Sequence, residues 1–256
     1  MSRHPKPPTR EGSRDTVQVH EVEKPAALIA RALAKDYGDG PALYPLDLRV
    51  EEHERVALIG HNGSGKTTFL RMATGLLEPA SGSVTVFGEA PGSMEARRRL
   101  SYLADTPTFY EDLSVWEHLE YTARLHGRAD WEQRAADLLG QLGIYERADD
   151  LPTRFSRGLK QKAAIAMAFI RPFDLMLVDE PFVGLDAEGK EALLELFDEA
   201  SSAGASLVVA THELGFVTTT QRTVALRDGA LIFDGPSSQA EARGLVAVEG
   251  TAETES

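Results

Sequence analysis

The sequence predicts an α/β protein with an antiparallel β subdomain and an inserted helical subdomain. Three observations predict it. The apolar run Arg55-Val56-Ala57-Leu58-Ile59 leads into a glycine-rich turn and then into residues 68–77, where Phe69, Met72, Ala73 and Leu76 recur at helical spacing. Residues from 110 to about 165 are helical in pattern and poor in strands. The last third returns to short, largely apolar runs, Leu175-Met176-Leu177-Val178 and Ser206–Ala210, of the kind that fill a sheet covered on both faces.

The elements follow in order. Residues 1–24 are polar and proline-bearing, with Arg3, Lys6, Arg10 and Arg14, and read as a disordered arm. The ordered unit is taken as 25–245. It opens with a strand at Ala26–Ala34 and a turn at Tyr37-Gly38; Leu46–Val50 alternates like a half-buried strand, and Glu51–Glu54 turns into the run at Arg55. Ser83–Phe87 is β-branched and bounded by Gly82 and Gly88, and Leu100–Leu103 is a further strand. Leu113–Gly127 and Asp130–Leu142 carry Val115, Leu119, Tyr121, Leu125, Ala135, Leu138, Leu139 and Leu142 at helical spacing, with Ser114 and Glu117 placed as a capping box. Trp116, Tyr121 and Trp131 are expected in the core of this region. Beyond the strand at 175–178, a helix is expected over Asp186–Ala203. After the strand at 206–210, Asp228-Gly229 predicts a hairpin between 223–226 and 230–233. Residues 246–256 read as a disordered acidic tail.

Composition narrows the possibilities. The 256 residues are 42% hydrophobic and carry a net charge of −13, a balance that disfavours nonspecific binding to nucleic acid or bare anionic lipid. Cysteine is absent, which excludes disulfides and thiolate metal sites. No apolar run approaches a bilayer-spanning length and no apolar signal segment opens the chain, so a soluble, intracellular-type protein is expected.

Chemistry is concentrated at Gly60-His61-Asn62-Gly63-Ser64-Gly65-Lys66-Thr67, which fits the phosphate-loop pattern and lies between a strand and a helix. Glycines let backbone N–H groups curl around a polyphosphate, and the helix N-terminus adds its partial positive charge. Lys66 would reach the β- and γ-phosphates and the Thr67 hydroxyl would hold Mg²⁺. Asp179-Glu180 ends the apolar run at 175–178, at the edge where open parallel sheets bind ligands. There Asp179 is placed to hold the metal and Glu180 to polarise an attacking water.

Over roughly residues 26–240 the chain resembles the ATP-binding subunits of ABC transporters. The phosphate loop, Phe155-Ser156-Arg157-Gly158-Leu159-Lys160-Gln161-Lys162 as signature motif, Leu175–Glu180, Gly184-Leu185-Asp186 as D-loop and His212 as switch histidine stand in the family's order. The resemblance implies a P-loop NTPase core that binds ATP and Mg²⁺. It implies catalytic roles for Glu180, His212 and Lys66, and nucleotide contacts from Gly60, Asn62, Gly63, Ser64, Gly65, Lys66, Thr67 and Thr68. Tyr37, 23 residues before Gly60, matches the adenine-stacking aromatic, with Tyr44 as its nearby rival. Thr67, Asp179 and Asp105 would serve the metal; Asp105 stands where the family usually has a glutamine, and its other role is to start the turn before Pro107.

In the family the signature contacts nucleotide on the opposite subunit, so Ser156 and Gly158 imply a second ATP-binding subunit in a head-to-tail dimer. Compared with the usual Leu-Ser-Gly-Gly-Gln, Phe155, Arg157 and Leu159 are departures, while Ser156 and the second glycine are kept. The cycle would drive a multi-spanning membrane subunit on separate chains, with this subunit cytoplasmic and peripheral on the inner membrane face. The compact helical segment after Tyr102–Asp105 is more like exporter subunits than importer ones. A soluble, non-transport ABC ATPase acting on nucleic acid or ribosomes is the rival reading. A single nucleotide-binding domain, no long coiled coil and no strongly basic surface oppose it, and no nucleic-acid partner is expected. A noncatalytic ATP sensor is a third, opposed by Lys66, Asp179, Glu180 and His212.

Overall fold

The computed structural model describes residues 26–38 and 40–245; the expected arm at 1–24 and tail from 246 lie outside the described residues. The first half of the chain contains β1 (Ala26–Asp36), β2 (Pro41–Glu51), β3 (Arg55–Ile59), α1 (Lys66–Ala73), β4 (Ser81–Val86), α2 (Met94–Arg99) and β5 (Leu100–Leu103). Three helices follow, α3 (Val115–Leu125), α4 (Trp131–Gln141) and α5 (Arg157–Ile170). The last part contains β6 (Leu175–Asp179), α6 (Ala187–Ser202), β7 (Ser206–Ala210), α7 (Leu214–Val217), β8 (Arg222–Arg227), β9 (Ala230–Pro236) and α8 (Ser237–Ala242).

Two sheets result. One is antiparallel in the order β2-β1-β4; the other runs β5-β6-β7-β3-β8-β9, parallel except for β9. Every residue of β6 and β7 is buried, as a strand covered on both faces requires. One apolar core packs between this sheet and helices α3 to α6, where Phe169, Phe182, Phe197 and Phe216 meet at centroid distances of 5.3–6.4 Å. A second core joins its other face to α1 and the antiparallel sheet through Leu28, Val50, Leu58, Phe69 and Leu177. Because β7 lies between β6 and β3, the residues leaving the C-terminal ends of these three strands converge.

The α/β class, the antiparallel sheet and the helices between β5 and β6 match expectation. The predicted capping box is present: Glu117 N–H donates to Ser114 Oγ at 3.2 Å and Ser114 N–H to the Glu117 carboxylate at 2.8 Å. The β8–β9 hairpin turns at Asp228 and Gly229, both at positive φ. Several boundaries differ for identifiable reasons. The second strand starts at Pro41, five residues early, because β2 is a sheet edge and tolerates Pro45. Helix α1 stops at Ala73, leaving Leu76 exposed, because Gly75 and Leu76 donate back to Met72 O and Arg71 O and close the helix in a Schellman turn. Tyr121 and Leu125 are exposed at 49% and 67%; only Trp131 of the three predicted core aromatics is fully buried, with Trp116 packed 5.4 Å from it. Helix α2, capped by Ser93 accepting from Ala96 N–H, is unanticipated.

Candidate active site

The phosphate-loop pattern occupies the turn between β3 and α1. Gly65 is the N-cap of α1 at φ 103°, and a Cβ there would lie 2.9 Å from Leu43 Cδ1 and 3.0 Å from Ala42 O, so conformation and packing both require glycine. Lys66, buried at the first turn of α1, donates through Nζ to Gly60 O at 2.6 Å and His61 O at 3.4 Å. An ammonium held across the mouth of a loop of backbone N–H groups is a receptor for phosphate oxygens.

Two carboxylates leave the end of β6 in different directions. Glu180 adopts a left-handed backbone, φ 45°, an uncommon state for a non-glycine residue, and its N–H donates to Ala210 O of β7 at 2.8 Å. Its carboxylate lies between Lys66 and His212: Oε1 is 3.2 Å from Lys66 Nζ, an ion contact without hydrogen-bond alignment, and Oε2 is 3.1 Å from His212 Nδ1. His212 follows β7 and is exposed, so it can approach a ligand.

Asp179 is wholly buried. Burial pushes its carboxyl above the usual range, and the charges of Asp105 and Glu180 add to the rise. The Thr67 hydroxyl and Lys66 pull the other way, but no donor is aligned for a hydrogen bond to either oxygen of Asp179. A buried acid with two orphaned oxygens beside a threonine hydroxyl is short of positive charge, and Mg²⁺ fits that deficit. Among the described residues no three His, Cys, Asp or Glu side chains form a metal cage. An ion held by Thr67 and Asp179 would take its remaining ligands from phosphate and water. Burial and Asp179 also push the neighbouring Tyr102 phenol up to about 12, so it stays protonated beside the acid.

A cleft of about 570 Å³ opens above these groups. Its wall brings together Asn62, Gly63, Ser64, Gly65, Lys66, Thr67, Thr68, Asp105, Glu180 and His212 from the predicted set. Asp179 is buried and not part of that wall, and Gly60 lines a neighbouring cleft with His61, Asn62 and His212. Tyr37 and Tyr44 are exposed and outside the lining; Tyr37 has Lys35 Nζ 5.4 Å from its ring centroid. Ser156 and Gly158 are also outside it, at the start of α5, where Ser156 Oγ accepts from Leu159 N–H at 3.4 Å. A Cβ on Gly158 would sit 2.6 Å from Gly184 O, so the signature and D-loop backbones touch. Asp186 caps α6 by accepting from Gly189 N–H at 2.9 Å and pairs with Lys162 at 3.0 Å; that lysine and the backbone donor hold its carboxyl below the usual range. Ala42, Val183 and Arg157 line the cleft unannounced. The charge of Arg157, inside a motif expected to contact phosphate, is the one signal in the sequence.

Comparison with known proteins agrees with this geometry. The family model described as ABC transporter matches residues 43–183. The SkfA peptide export ATP-binding protein SkfE of Bacillus subtilis (strain 168) is 35% identical over 205 residues, covering 79% of this chain and 86% of that protein. The ABC-type transporter ATP-binding protein EcsA of the same strain is 38% identical over 191 residues, 73% of this chain and 77% of its own length. A solved structure of an ATP-binding subunit of an ABC transporter superposes with a TM-score of 0.78 at 32% identity, covering 87% of this chain and 95% of that one. Fold, motif order and similarity therefore agree: the chain belongs to the ABC transporter family, as one of its ATP-binding subunits.

Proposed function

We propose that this subunit hydrolyses ATP with Glu180 as general base, in a head-to-tail pair with a second ATP-binding subunit, and so drives a multi-spanning membrane subunit on separate chains. The supporting observation is the Glu180 carboxylate, held between Lys66 and His212 above the phosphate loop and beside the orphaned oxygens of Asp179. Lys66 binds the β- and γ-phosphates, and in doing so turns its charge from Glu180 to the substrate. The freed carboxylate orients the in-line water and takes its proton, while His212 holds the other carboxylate oxygen and reaches the γ-phosphate. Mg²⁺, held by Thr67 and Asp179 with Asp105 nearby, would neutralise charge on the phosphate oxygens. Tyr37 would stack on adenine. The subunit would sit on the cytoplasmic face of the membrane; among the described residues no helix is long and apolar enough to cross it. Similarity to SkfE, a peptide export ATP-binding protein, favours the export direction.

Phosphate release from ATP tests this reading. The purified chain should need Mg²⁺, and at low concentration its rate should rise with about the square of protein concentration, since two copies complete each site. A rate strictly proportional to concentration, or independent of the metal, would overturn it. Membrane fractions should yield a co-purifying multi-spanning chain whose presence stimulates the rate.

Asp105 provides a finer test. It is exposed on the cleft wall and its charge reaches Asp179. Asp can accept from a metal-bound water as the family's glutamine does, with a shorter arm and a negative charge that Mg²⁺ must offset. Asp105→Ala is expected to lower partner-stimulated hydrolysis about tenfold, the scale of losing an outer metal contact, and to weaken the Mg²⁺ dependence with ATP affinity little changed. If both Asp105→Ala and Asp105→Asn keep the parent's stimulated rate and Mg²⁺ titration, the residue only starts the turn before Pro107.

A further inference from the structure

Position 157 is where the signature departs from its family in charge. Arg157 opens α5, one residue after the Ser156 cap. The two side chains diverge. Ser156 Oγ turns back to Leu159 N–H, while the stem of Arg157 runs across the D-loop: a Cβ built on Gly184 would lie 3.3 Å from its Cγ, 3.4 Å from its Cδ and 3.6 Å from its Nε. That path brings Arg157 to the wall of the same chain's nucleotide cleft, alongside Lys66, Thr67, Asp105 and Glu180. Among the described residues it forms no ion pair, although the chain carries a net charge of −13 and two carboxylates share its wall. An arginine without an ion pair, always charged and able to grip a phosphate with two parallel hydrogen bonds, thus lines the same cleft as the phosphate loop.

We propose that Arg157 binds the terminal phosphate of the ATP held by its own chain, and so separates ATP from ADP before any partner docks. This rests on the ATP-binding reading above. Ser156 and Gly158 face the partner's nucleotide in that reading; Arg157, between them in sequence, takes the nucleotide in cis. Because it also opens α5, its grip on the γ-phosphate fixes the segment that presents Ser156 and Gly158 to the partner. ATP loading would then order the docking edge, and ADP would leave it free. Gly184 leaves room for that route, since a Cβ there would lie 3.3 Å from the arginine stem.

The test uses full-length chain with Mg²⁺, diluted until light scattering shows monomer only. Binding of mant-labelled ADP and of a mant-labelled, hydrolysis-resistant triphosphate is read by fluorescence. Arg157→Ala should raise the Kd of the triphosphate about tenfold and that of the diphosphate less than about twofold, because charge-assisted contacts to one phosphate are lost. Arg157→Gln, which keeps the stem over Gly184, should lose the same selectivity; Arg157→Lys should recover only part of it, lacking the fork. Equal losses for both nucleotides, no loss, or a loss confined to dimeric chain would overturn the proposal. Parent chain that binds neither nucleotide would sink the ATP reading with it. Parent chain that binds both, with variants indistinguishable from it, would sink this inference alone.

Discussion

Glu180→Gln should stop turnover while ATP remains bound. The amide keeps the shape of the carboxylate but cannot accept a proton, and a positioned general base contributes about two to four orders of magnitude in rate. Steady-state phosphate release is therefore expected to fall at least about a hundredfold. The substitution also removes the anion that holds Lys66 at 3.2 Å and His212 at 3.1 Å. Lys66 then meets the phosphates without competition, so affinity for ATP should hold or rise. With hydrolysis blocked, the ATP-bound pair should accumulate as a species of twice the mass in light scattering. Lys66→Ala should behave differently, losing phosphate affinity itself. A Glu180→Gln chain that hydrolyses ATP at near the parent rate would remove Glu180 as the base.

Local chemistry is what the sequence states most clearly. The phosphate loop, the Asp179-Glu180 pair and the Ser114–Glu117 capping box are short-range patterns whose geometry is set within a few residues, and the structure places each where its pattern implies. Patterns that depend on what packs alongside are less legible. Tyr121 and Leu125 share helical spacing with Val115 and Leu119, yet they are exposed, because periodicity gives the stripe and not its width. Pro45 argues against a strand until β2 is known to be an edge. The wall of the cleft shows the same limit. Glu180 and His212 meet because β6 and β7 are neighbours, a pairing that no local pattern carries. Arg157 reaches the cleft past Gly184, twenty-seven residues further along the chain.

Ser156→Arg should abolish hydrolysis without abolishing ATP binding, and the loss should be repaired by mixing. Ser156 lies outside the lining of its own chain's cleft, so the phosphate loop of the variant remains intact and the monomer still loads nucleotide. In the proposed pairing the lesion sits on the face offered to the partner: a long cation at the start of α5 replaces a hydroxyl that accepts from Leu159 N–H. Loss of that cap costs about 1 kcal/mol of stability, too little to unfold a domain of this size, and circular dichroism of the variant should match the parent. Lys66→Ala carries the complementary lesion, a failed phosphate loop with a sound signature. In a pair made of one chain of each kind, one site combines the sound loop with the sound signature and the other combines both faults. Random pairing of equal amounts puts half the pairs in this mixed form, with one working site in two, so about a quarter of the parent rate should return from two inactive preparations. Recovery on that scale is possible only if each site draws its loop from one chain and its signature from the other. If Ser156→Arg alone keeps the parent rate, each chain hydrolyses ATP unaided. If the mixture stays as inactive as its parts, the signature does not act across the pair.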